Sequence, residues 1–238
     1  MNNASVDEYY EKYYNLLHKS SKLGFFNTLM HKKMESPHRL KSFNEVLELG
    51  CGNFEHTFFV SHNFRNYTAT DIRPIKDEDL QKLRMWAHSK KTSKADFIKC
   101  DAQKLPFEDN KFDRIVAGCL LLHIQDVDAV ISESIRVLKP DGILEMLVPC
   151  EGGIFLRIFR RIFSERFAKK MGIPIELYRY VNSIDHVNSF ERVSVLTRSS
   201  LKGLGSLRIM YFPIRFLPSW YLNIFTVFQI RKQNVYVQ

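Results

Sequence analysis

A chain of 238 residues, 45% hydrophobic and 26% charged, has the size and apolar content of one domain with a single core. Its first residues carry acids and no apolar stretch, and no run reaches the roughly 18 uncharged apolar residues of a membrane-spanning helix. We therefore expect one cytoplasmic domain. The net charge of +9 favours an acidic partner, which could be nucleic acid, an anionic membrane surface or a phosphorylated substrate.

Short β-rich runs alternate with helical runs through the middle of the chain, a pattern typical of a parallel sheet covered by helices on both faces. Strands are predicted at 45–50, 67–72, 95–100, 112–121 and 142–149, and strands six and seven at 206–214 and 222–232. Helices are predicted from about Phe54, over 77–91 and over 126–139. The turn at 139–142 should end the third helix at its proline, with Gly142 as the permissive residue before the next strand.

The first strand ends in Gly50-Cys51-Gly52, where a strand-to-helix crossing would bring a ligand close to the backbone. A dinucleotide fingerprint requires G-x-G-x-x-G, but the position of the third glycine holds Glu55. Its carboxylate would face a pyrophosphate at a helix N-terminus, which is electrostatically unfavourable. The loop therefore favours a cofactor without phosphates.

Four segments resemble, in this order and spacing, the class I S-adenosylmethionine-dependent methyltransferases, in particular their type 11 small-molecule branch. They are VLELGCGN (46–53), TATDI (68–72), CDAQKLPFEDNKFDRIVAGCLLLHI (100–124) and RVLKPDGIL (136–144). The resemblance covers about residues 44–149. It implies a Rossmann-like, seven-stranded, mostly parallel sheet with helices on both faces and an antiparallel last strand. It also implies S-adenosylmethionine as cofactor, and we expect methyl transfer to an oxygen or nitrogen of a small acceptor. The basic, phenylalanine-rich stretch 155–170 favours an acceptor that is anionic or lipid-linked.

The resemblance assigns the glycine loop to the methionine part of the cofactor. Gly50, Cys51 and Gly52 would let the backbone pass against it, and Glu48 would brace the loop or meet the ammonium group through water. Glu48 could equally be a partly exposed acid at a strand end. The family often has a third glycine where this chain has Phe54.

The remaining cofactor contacts follow the second, third and fourth strands. The resemblance places both ribose hydroxyls on Asp71, which could alternatively cap the next helix. It places the adenine edge on the Asp101 carboxylate and the Ala102 N–H, although Asp101 could instead form a turn. It adds Ile72 and Cys119 to the cofactor contacts.

His123, directly after the fourth strand, is a candidate catalytic residue because a neutral imidazole could take a proton from a hydroxyl or ammonium nucleophile. It could also pack beside the cofactor without proton chemistry. His186 is a second candidate. Asn188 or Ser189 could cap the helix that follows them. The substrate-contact candidates are Tyr14, Tyr178, Tyr180, His186 and Asn188.

The four cysteines form neither a CxxC pair nor a metal-ligand spacing, so no metal site is predicted. They lie close to the carboxyl ends of the first, third, fourth and fifth predicted strands, where a crowded cofactor pocket needs small side chains.

The chain divides into an N-terminal helical cap (1–43), a cofactor-binding core (44–149), a substrate lid (150–205) and a terminal hairpin (206–238). The lid contains a cationic amphipathic stretch, 155–170, with Arg157, Arg160 and Arg161. It could be a lid helix with a solvated basic face, a contact with an anionic membrane, or a funnel for an anionic substrate. Two other functions stay open: a nucleic-acid methyltransferase, disfavoured because no base-flipping motif or RNA-binding module is present, and a non-catalytic cofactor-binding protein.

Overall fold

The fold was analysed in a computed structural model, which describes residues 21–90 and 93–233, with side chains from residue 26 onward. The strands are β1 (Ser42–Leu49), β2 (Asn63–Asp71), β3 (Lys94–Lys99), β4 (Phe112–Gly118), β5 (Leu138–Pro149), β6 (Gly205–Phe212) and β7 (Phe225–Lys232). The α-helices are α1 (Ser21–Glu35), α2 (Asp77–Ser89), α3 (Val127–Val137), α4 (Ile154–Phe159), α5 (Glu165–Lys170), α6 (Ile175–Asp185) and α7 (Phe190–Ser200). A π-helical turn, Arg160–Ser164, joins α4 to α5, and short 3-10 turns occupy Ser36–His38, Thr57–Phe59, Leu120–Leu122 and Trp220–Leu222.

The strands form one seven-stranded sheet in the order β3-β2-β1-β4-β5-β7-β6. The first five strands are mutually parallel, with Glu48 of β1 opposite Ala69 of β2 and Val116 of β4. β7 lies between β5 and β6 and runs antiparallel to both. The predicted Rossmann-like sheet with an antiparallel last strand is therefore confirmed, and the carboxyl ends of β1 to β5 meet at one edge.

Apolar periodicity explains how the helices pack. On α3 and directly after it, Val127, Ile131, Ile135 and Leu138 are all buried in the main core, which confirms that this helix has one apolar face. Leu83 and Ala87 of α2 pack with residues of β1 and β2 in a second hydrophobic cluster. The helices therefore hold the carboxyl edge of the sheet as a rigid platform for a ligand.

The predicted helix from about Phe54 is wrong. Between β1 and β2 the chain forms turns and the short Thr57–Phe59 3-10 turn. Gly50, Gly52 and Phe54 all have positive φ, and Phe54, at +61°, adopts a conformation that a glycine would enter without strain. Burial of the Phe54 ring in the second cluster offsets that cost and prevents an α-helix from starting there.

The predicted turn at 139–142 also needs correction. α3 ends at Val137 and β5 begins at the next residue, so the proline lies inside the strand as assigned. The positive φ, +61°, is at Asp141 rather than at Gly142. A side chain on Gly142 would lie 2.8 Å from the Leu138 side chain and from the Lys139 carbonyl oxygen. Glycine is required there by close contact and not by an unusual φ.

The amphipathic stretch after β5 forms a single broken helix, from α4 through the π-turn to α5. Phe159 and Phe163 turn inward and contact the ring of Phe26 on α1, with ring centroids 4.5 and 6.1 Å away. Ile158 and Ile162, by contrast, are exposed. Among the described residues, no helix combines the length and apolar content needed to cross a membrane.

Candidate functional site

The predicted cofactor-binding residues lie at or near the carboxyl ends of strands β1 to β4. Gly50 to Gly52 follow β1, Asp71 ends β2, Asp101 follows β3 and Cys119 follows β4. Because these strands are adjacent and parallel, their ends line one cleft. Tyr14 lies outside the described residues.

The glycine loop is bent by two left-handed residues. Gly50 has φ +64° and Gly52 has φ +53°, and Cys51 N donates to the Thr70 carbonyl oxygen at 2.9 Å. A Cβ on Gly50 would lie 2.7 Å from Cδ1 of Leu120, in the turn that follows β4. Among residues 21–90 and 93–233, a Cβ on Gly52 would approach only Nη2 of Arg73, at 3.8 Å. The loop therefore closes against the β4 turn on one side and is open at Gly52 on the other, where a ligand can meet the backbone.

Asp71 ties the loop to β2. Its Oδ2 accepts a hydrogen bond from Gly52 N at 3.0 Å, and its Oδ1 accepts from Arg73 N at 2.9 Å. Oδ1 also accepts from Nε of Arg73 at 3.3 Å. A carboxylate can accept about four hydrogen bonds, so these three leave about one, on Oδ2, for a neighbouring hydroxyl. The alternative role of Asp71 as a helix cap is wrong, because α2 begins later, with Lys76 at its N-cap position.

Glu48 is buried beneath the loop, so its alternative role as a partly exposed strand-end acid is wrong. Its Oε2 accepts hydrogen bonds from the Tyr67 hydroxyl at 2.6 Å and from Thr57 Oγ1 at 3.0 Å. Burial raises the pKa of its carboxyl group, and these hydrogen bonds oppose the shift. Glu48 thus anchors the segment that continues from the glycine loop.

The residues after β3 and β4 form the far side of the cleft. Asp101 Oδ1 accepts a hydrogen bond from Gln103 N at 2.9 Å, and Gln103 Nε2 donates to both carboxylate oxygens. These contacts agree with the alternative in which Asp101 forms a turn. Ile72, next to Asp71, is 63% exposed and gives the cleft an apolar surface. Cys119 has φ +57° and begins the turn before His123.

The four thiols lie near this edge and are not activated. Burial raises the pKa of each, to about 12 for Cys119 and Cys150. For Cys119, the charge of Glu55 adds to this increase in pKa and the charge of Arg160 opposes it. The thiols serve as small packing groups at this edge.

The structure brings the two histidine candidates together in what we call the Glu151 cluster: His123, Glu151, Arg160, Asp185 and His186. The imidazole centroids of His123 and His186 are 5.1 Å apart. Nδ1 of His123 lies 3.0 Å from the Asp185 carbonyl oxygen. Arg160 donates to both oxygens of Glu151 at 2.6 Å, and Nδ1 of His186 lies 3.1 Å from Glu151 Oε2.

The electrostatics of the Glu151 cluster follow from these contacts. Burial alone would raise the pKa of Glu151, but the hydrogen bonds from His186 and Arg160 lower it to about 2. Burial and the neighbouring His186 lower the pKa of His123, which favours the neutral imidazole at pH 7. The cluster thus combines a fixed ion pair with a neutral imidazole.

Glu151 had no predicted role in the site, whereas Asp185 was among the polar groups considered for substrate contact and Arg160 belonged to the cationic stretch of the lid. Glu151 lies two residues after the end of β5 and precedes two glycines, and that position near a strand end was the one signal available in the sequence. Arg160 opens the π-turn, so the helix is distorted where its guanidinium reaches Glu151. Its assignment to the solvated basic face is therefore a correction: it is paired, whereas Arg157 and Arg161 are exposed.

Three tentative substrate residues are placed differently from the prediction. Tyr178 and Tyr180 lie on α6 and not on a loop; Tyr178 is buried and Tyr180 is exposed. Ser189, not Asn188, caps α7, with its Oγ accepting from Arg192 N at 3.2 Å. The buried Asn188 amide donates to the Leu121 and Ile124 carbonyl oxygens and so fixes the turn that carries His123.

A buried polar network connects α1 to the glycine loop. Glu35 accepts from Arg114 at 2.7 Å and from Nε2 of His56 at 2.9 Å, and Nδ1 of His56 lies 3.0 Å from Nδ1 of His31. Burial would raise the pKa of Glu35, but Arg114 and His56 lower it overall, so Glu35 is ionised. This network fixes α1 over the segment that follows the loop.

Comparisons with known proteins agree with this geometry. Residues 47–146 match the family described as "Methyltransferase domain". The ubiquinone/menaquinone biosynthesis C-methyltransferase UbiE of Shewanella sediminis is 30% identical over 145 residues, 58% of this chain and 57% of that protein. The sterol 24-C-methyltransferase of Pneumocystis carinii is 34% identical over 101 residues, 41% of this chain and 26% of that protein. The chain thus spans between about a quarter and somewhat over half of these two relatives.

A solved structure shares the fold over almost the whole chain. The N-methyltransferase NodS from Bradyrhizobium japonicum, in complex with S-adenosyl-L-homocysteine, superposes with a TM-score of 0.56 at 14% identity. The match covers 92% of this chain and 91% of that one. At this identity it supports the fold.

Proposed function

We propose, from the class I methyltransferase domain that residues 47–146 of this chain carry, that the protein binds S-adenosylmethionine and transfers its methyl group to a small acceptor. The observation that carries the proposal is the hydrogen bond from Gly52 N to the Asp71 carboxylate, between the glycine loop and the end of β2. The loop has an open backbone face at Gly52, and the same residue donates to a carboxylate that retains acceptor capacity. A ribose and a methionine chain joined through sulfur fit this arrangement.

The residues present fit the cofactor, and each would hold one part of it. Gly50, Cys51 and Gly52 would pass along the methionine chain, and Asp71 would accept from the ribose hydroxyls. Ile72 offers an apolar face for the base, and Asp101 with the Ala102 N–H would receive its polar edge. When bound, the cofactor supplies a methyl group on a positively charged sulfur, so the chain has only to align, desolvate and deprotonate the acceptor.

The acceptor atom is proposed to be an oxygen or nitrogen, with His123 as the base. A carbonyl oxygen can only accept, so the Asp185 carbonyl beside Nδ1 keeps the proton of neutral His123 on Nδ1. Nε2 is then the basic nitrogen, and it would take the acceptor proton as the acceptor gains the methyl group. The two relatives described above are named as C-methyltransferases, so this assignment needs its own test.

Isothermal titration of the purified protein with S-adenosylmethionine and S-adenosylhomocysteine tests the proposed function. We expect saturable binding of both. If a folded preparation binds neither, the proposal fails. Assays with hydroxyl-bearing and amine-bearing acceptors then separate oxygen from nitrogen transfer, with carbon methylation as the outcome that contradicts His123 as a base for either.

A peripheral contact with anionic membrane is also proposed, on the outer face of the broken helix. Ile154, Ile158 and Ile162 are exposed there beside Arg157 and Arg161, and residues 152–164 contain no acid. The loop after β6 lies against α4 and also combines apolar and basic side chains, because Phe216 and an arginine are exposed there. Apolar residues that insert and arginines that meet lipid phosphates suit an anionic bilayer surface. This surface would serve a lipid-linked acceptor.

A further inference from the structure

The Glu151 cluster contains more fixed hydrogen-bonding groups than one proton transfer requires. We infer that it binds a vicinal diol of the methyl acceptor, with one hydroxyl at Nε2 of His123 and the adjacent hydroxyl at His186 and Arg160. This inference rests on the proposed methyl transfer and names the acceptor chemistry of the same site.

The protonation pattern of the two imidazoles supports two adjacent hydroxyls. Nδ1 of His186 lies 3.1 Å from Oε2 of Glu151, which can only accept, and 3.3 Å from Nη2 of Arg160, which can only donate. The shorter contact with the carboxylate favours a proton on Nδ1 of His186, as the Asp185 carbonyl oxygen does for Nδ1 of His123. No residue of the described ranges 21–90 and 93–233 pairs with Nε2 of either ring. Two imidazoles 5.1 Å apart therefore each keep Nε2 for a ligand.

The charges of the cluster distinguish a hydroxyl from other partners. Arg160 and Glu151 neutralise each other through two hydrogen bonds of 2.6 Å. The Asp185 carboxylate, with Oδ2 3.7 Å from Nδ1 of His123, leaves the cluster with one negative charge, which disfavours an anion. An ammonium group next to His186 would lie beside the Arg160 guanidinium, and a phosphate would lie beside the Glu151 carboxylate. A hydroxyl can accept from Arg160 and donate to His186, so it suits both neighbours.

The position of the cluster suits a second anchor beside the reacting group. The Leu122 carbonyl oxygen, one residue before His123, accepts from Val187 N at 2.9 Å and from Asn188 N at 3.2 Å, which ties the two histidine segments together. The same turn contacts the glycine loop, because a Cβ on Gly50 would lie 2.7 Å from Leu120. The side chains of His123 and His186 remain 34% and 15% exposed, so a small ligand can reach them.

Binding of small probes to the protein saturated with S-adenosylhomocysteine tests the inference. Two diols represent the two sources of this chemistry: 3,4-dihydroxybenzoate, an aromatic catechol, and methyl α-L-rhamnopyranoside, a saccharide. Each is paired with an analogue that lacks one hydroxyl and has no vicinal pair left, namely 4-hydroxybenzoate and the corresponding 3-deoxy glycoside. We expect at least one diol to bind about tenfold more tightly than its analogue, the factor of one good hydrogen bond.

The variants assign the preference to the cluster. His186→Ala and Glu151→Gln should reduce the ratio between diol and analogue to about one, whereas His88→Ala, which removes an exposed imidazole from α2, should leave it unchanged. Glu151 acts as a positioning residue, and Glu151→Gln keeps its volume. Equal binding of both diols and their analogues to the wild type, or an unchanged ratio in His186→Ala, would overturn the inference. The affinity for S-adenosylhomocysteine is measured for the wild type and for every variant. If the wild type does not bind S-adenosylhomocysteine, the proposed function is contradicted. If the wild type binds it but shows no preference for the diols, only the inference is contradicted.

Discussion

Replacing Gly50 with alanine tests whether the glycine loop must contact the turn that follows β4. Two costs can be worked out from the structure. A left-handed φ of +64° costs a residue with a Cβ roughly 1–2 kcal/mol. The new Cβ would also lie 2.7 Å from Leu120 Cδ1, and because that atom ends a movable side chain, we add only about 1 kcal/mol, the low end for overpacking. The free energy of unfolding should fall by about 2–3 kcal/mol.

Gly203→Ala is the matched control. Gly203 has a similar φ of +76°, and a Cβ there would meet no atom within 4 Å, so only the conformational cost of roughly 1–2 kcal/mol applies. Urea denaturation of the wild type and both variants gives the comparison, with equal m-values as the check for two-state unfolding. The difference between the two variants measures the contact with Leu120.

A double-mutant cycle with Leu120→Ala identifies the partner. Removing the Leu120 side chain should relieve the clash, so Gly50→Ala should cost about 1 kcal/mol less in that background than in the wild type. If Gly50→Ala destabilises no more than Gly203→Ala, or if the cycle shows no coupling, the loop does not depend on this contact. The position of the His123 turn would then need another explanation.

Three further predictions concern the ribose contact, the membrane surface and acid stability. Asp71→Asn should weaken S-adenosylhomocysteine binding by roughly 1–3 kcal/mol in isothermal titration, through loss of charge-assisted hydrogen bonds; unchanged affinity would refute the ribose placement. The double variant Arg157→Ala/Arg161→Ala should bind anionic vesicles more weakly in co-sedimentation, by about 1 kcal/mol per arginine, whereas the charge-matched Lys76→Ala/Lys94→Ala should not; equal loss in both pairs would indicate only non-specific charge attraction. Burial lowers the pKa of His62 from 6.5 to about 4, so the unfolded chain gains a proton at higher pH than the folded one, and stability should fall by up to about 3 kcal/mol between pH 7 and pH 4. His62→Leu should lose this part of the pH dependence in guanidinium titrations, and an unchanged slope would show that His62 does not cause it.

The interior of the glycine-loop segment shows why a local pattern can mislead. A helix was expected after Gly52 because such a crossing usually begins one, but Phe54 and Thr57 are buried and the segment folds inward. Glu48 of β1 holds this segment through Thr57, and Glu35 of α1 holds it through His56. Both acids belong to other elements of the fold. Periodicity within one segment carries no information about such partners.

Asn188 illustrates the same limit for a single side chain. An asparagine before a helix is a good cap by local rules, and Ser189 beside it is another. Ser189 became the cap because Asn188 could be buried against two carbonyl oxygens of the β4 turn, more than 60 residues earlier. Only the packing of α7 against that turn decides between the two.

The sequence by itself determined which residues stand at the carboxyl ends of the strands. Strand-forming runs, helical periodicity and turn residues are local properties, and their alternation places Gly50, Asp71, Asp101 and His123 after successive parallel strands. The tertiary structure alone decided that Glu151 pairs with Arg160 and His186, and that His186 lies beside His123. These contacts join residues that are separated by 9 to 63 positions in the chain. Their geometry depends on how α4, α6 and the β4 turn pack together, which no local pattern of the chain specifies.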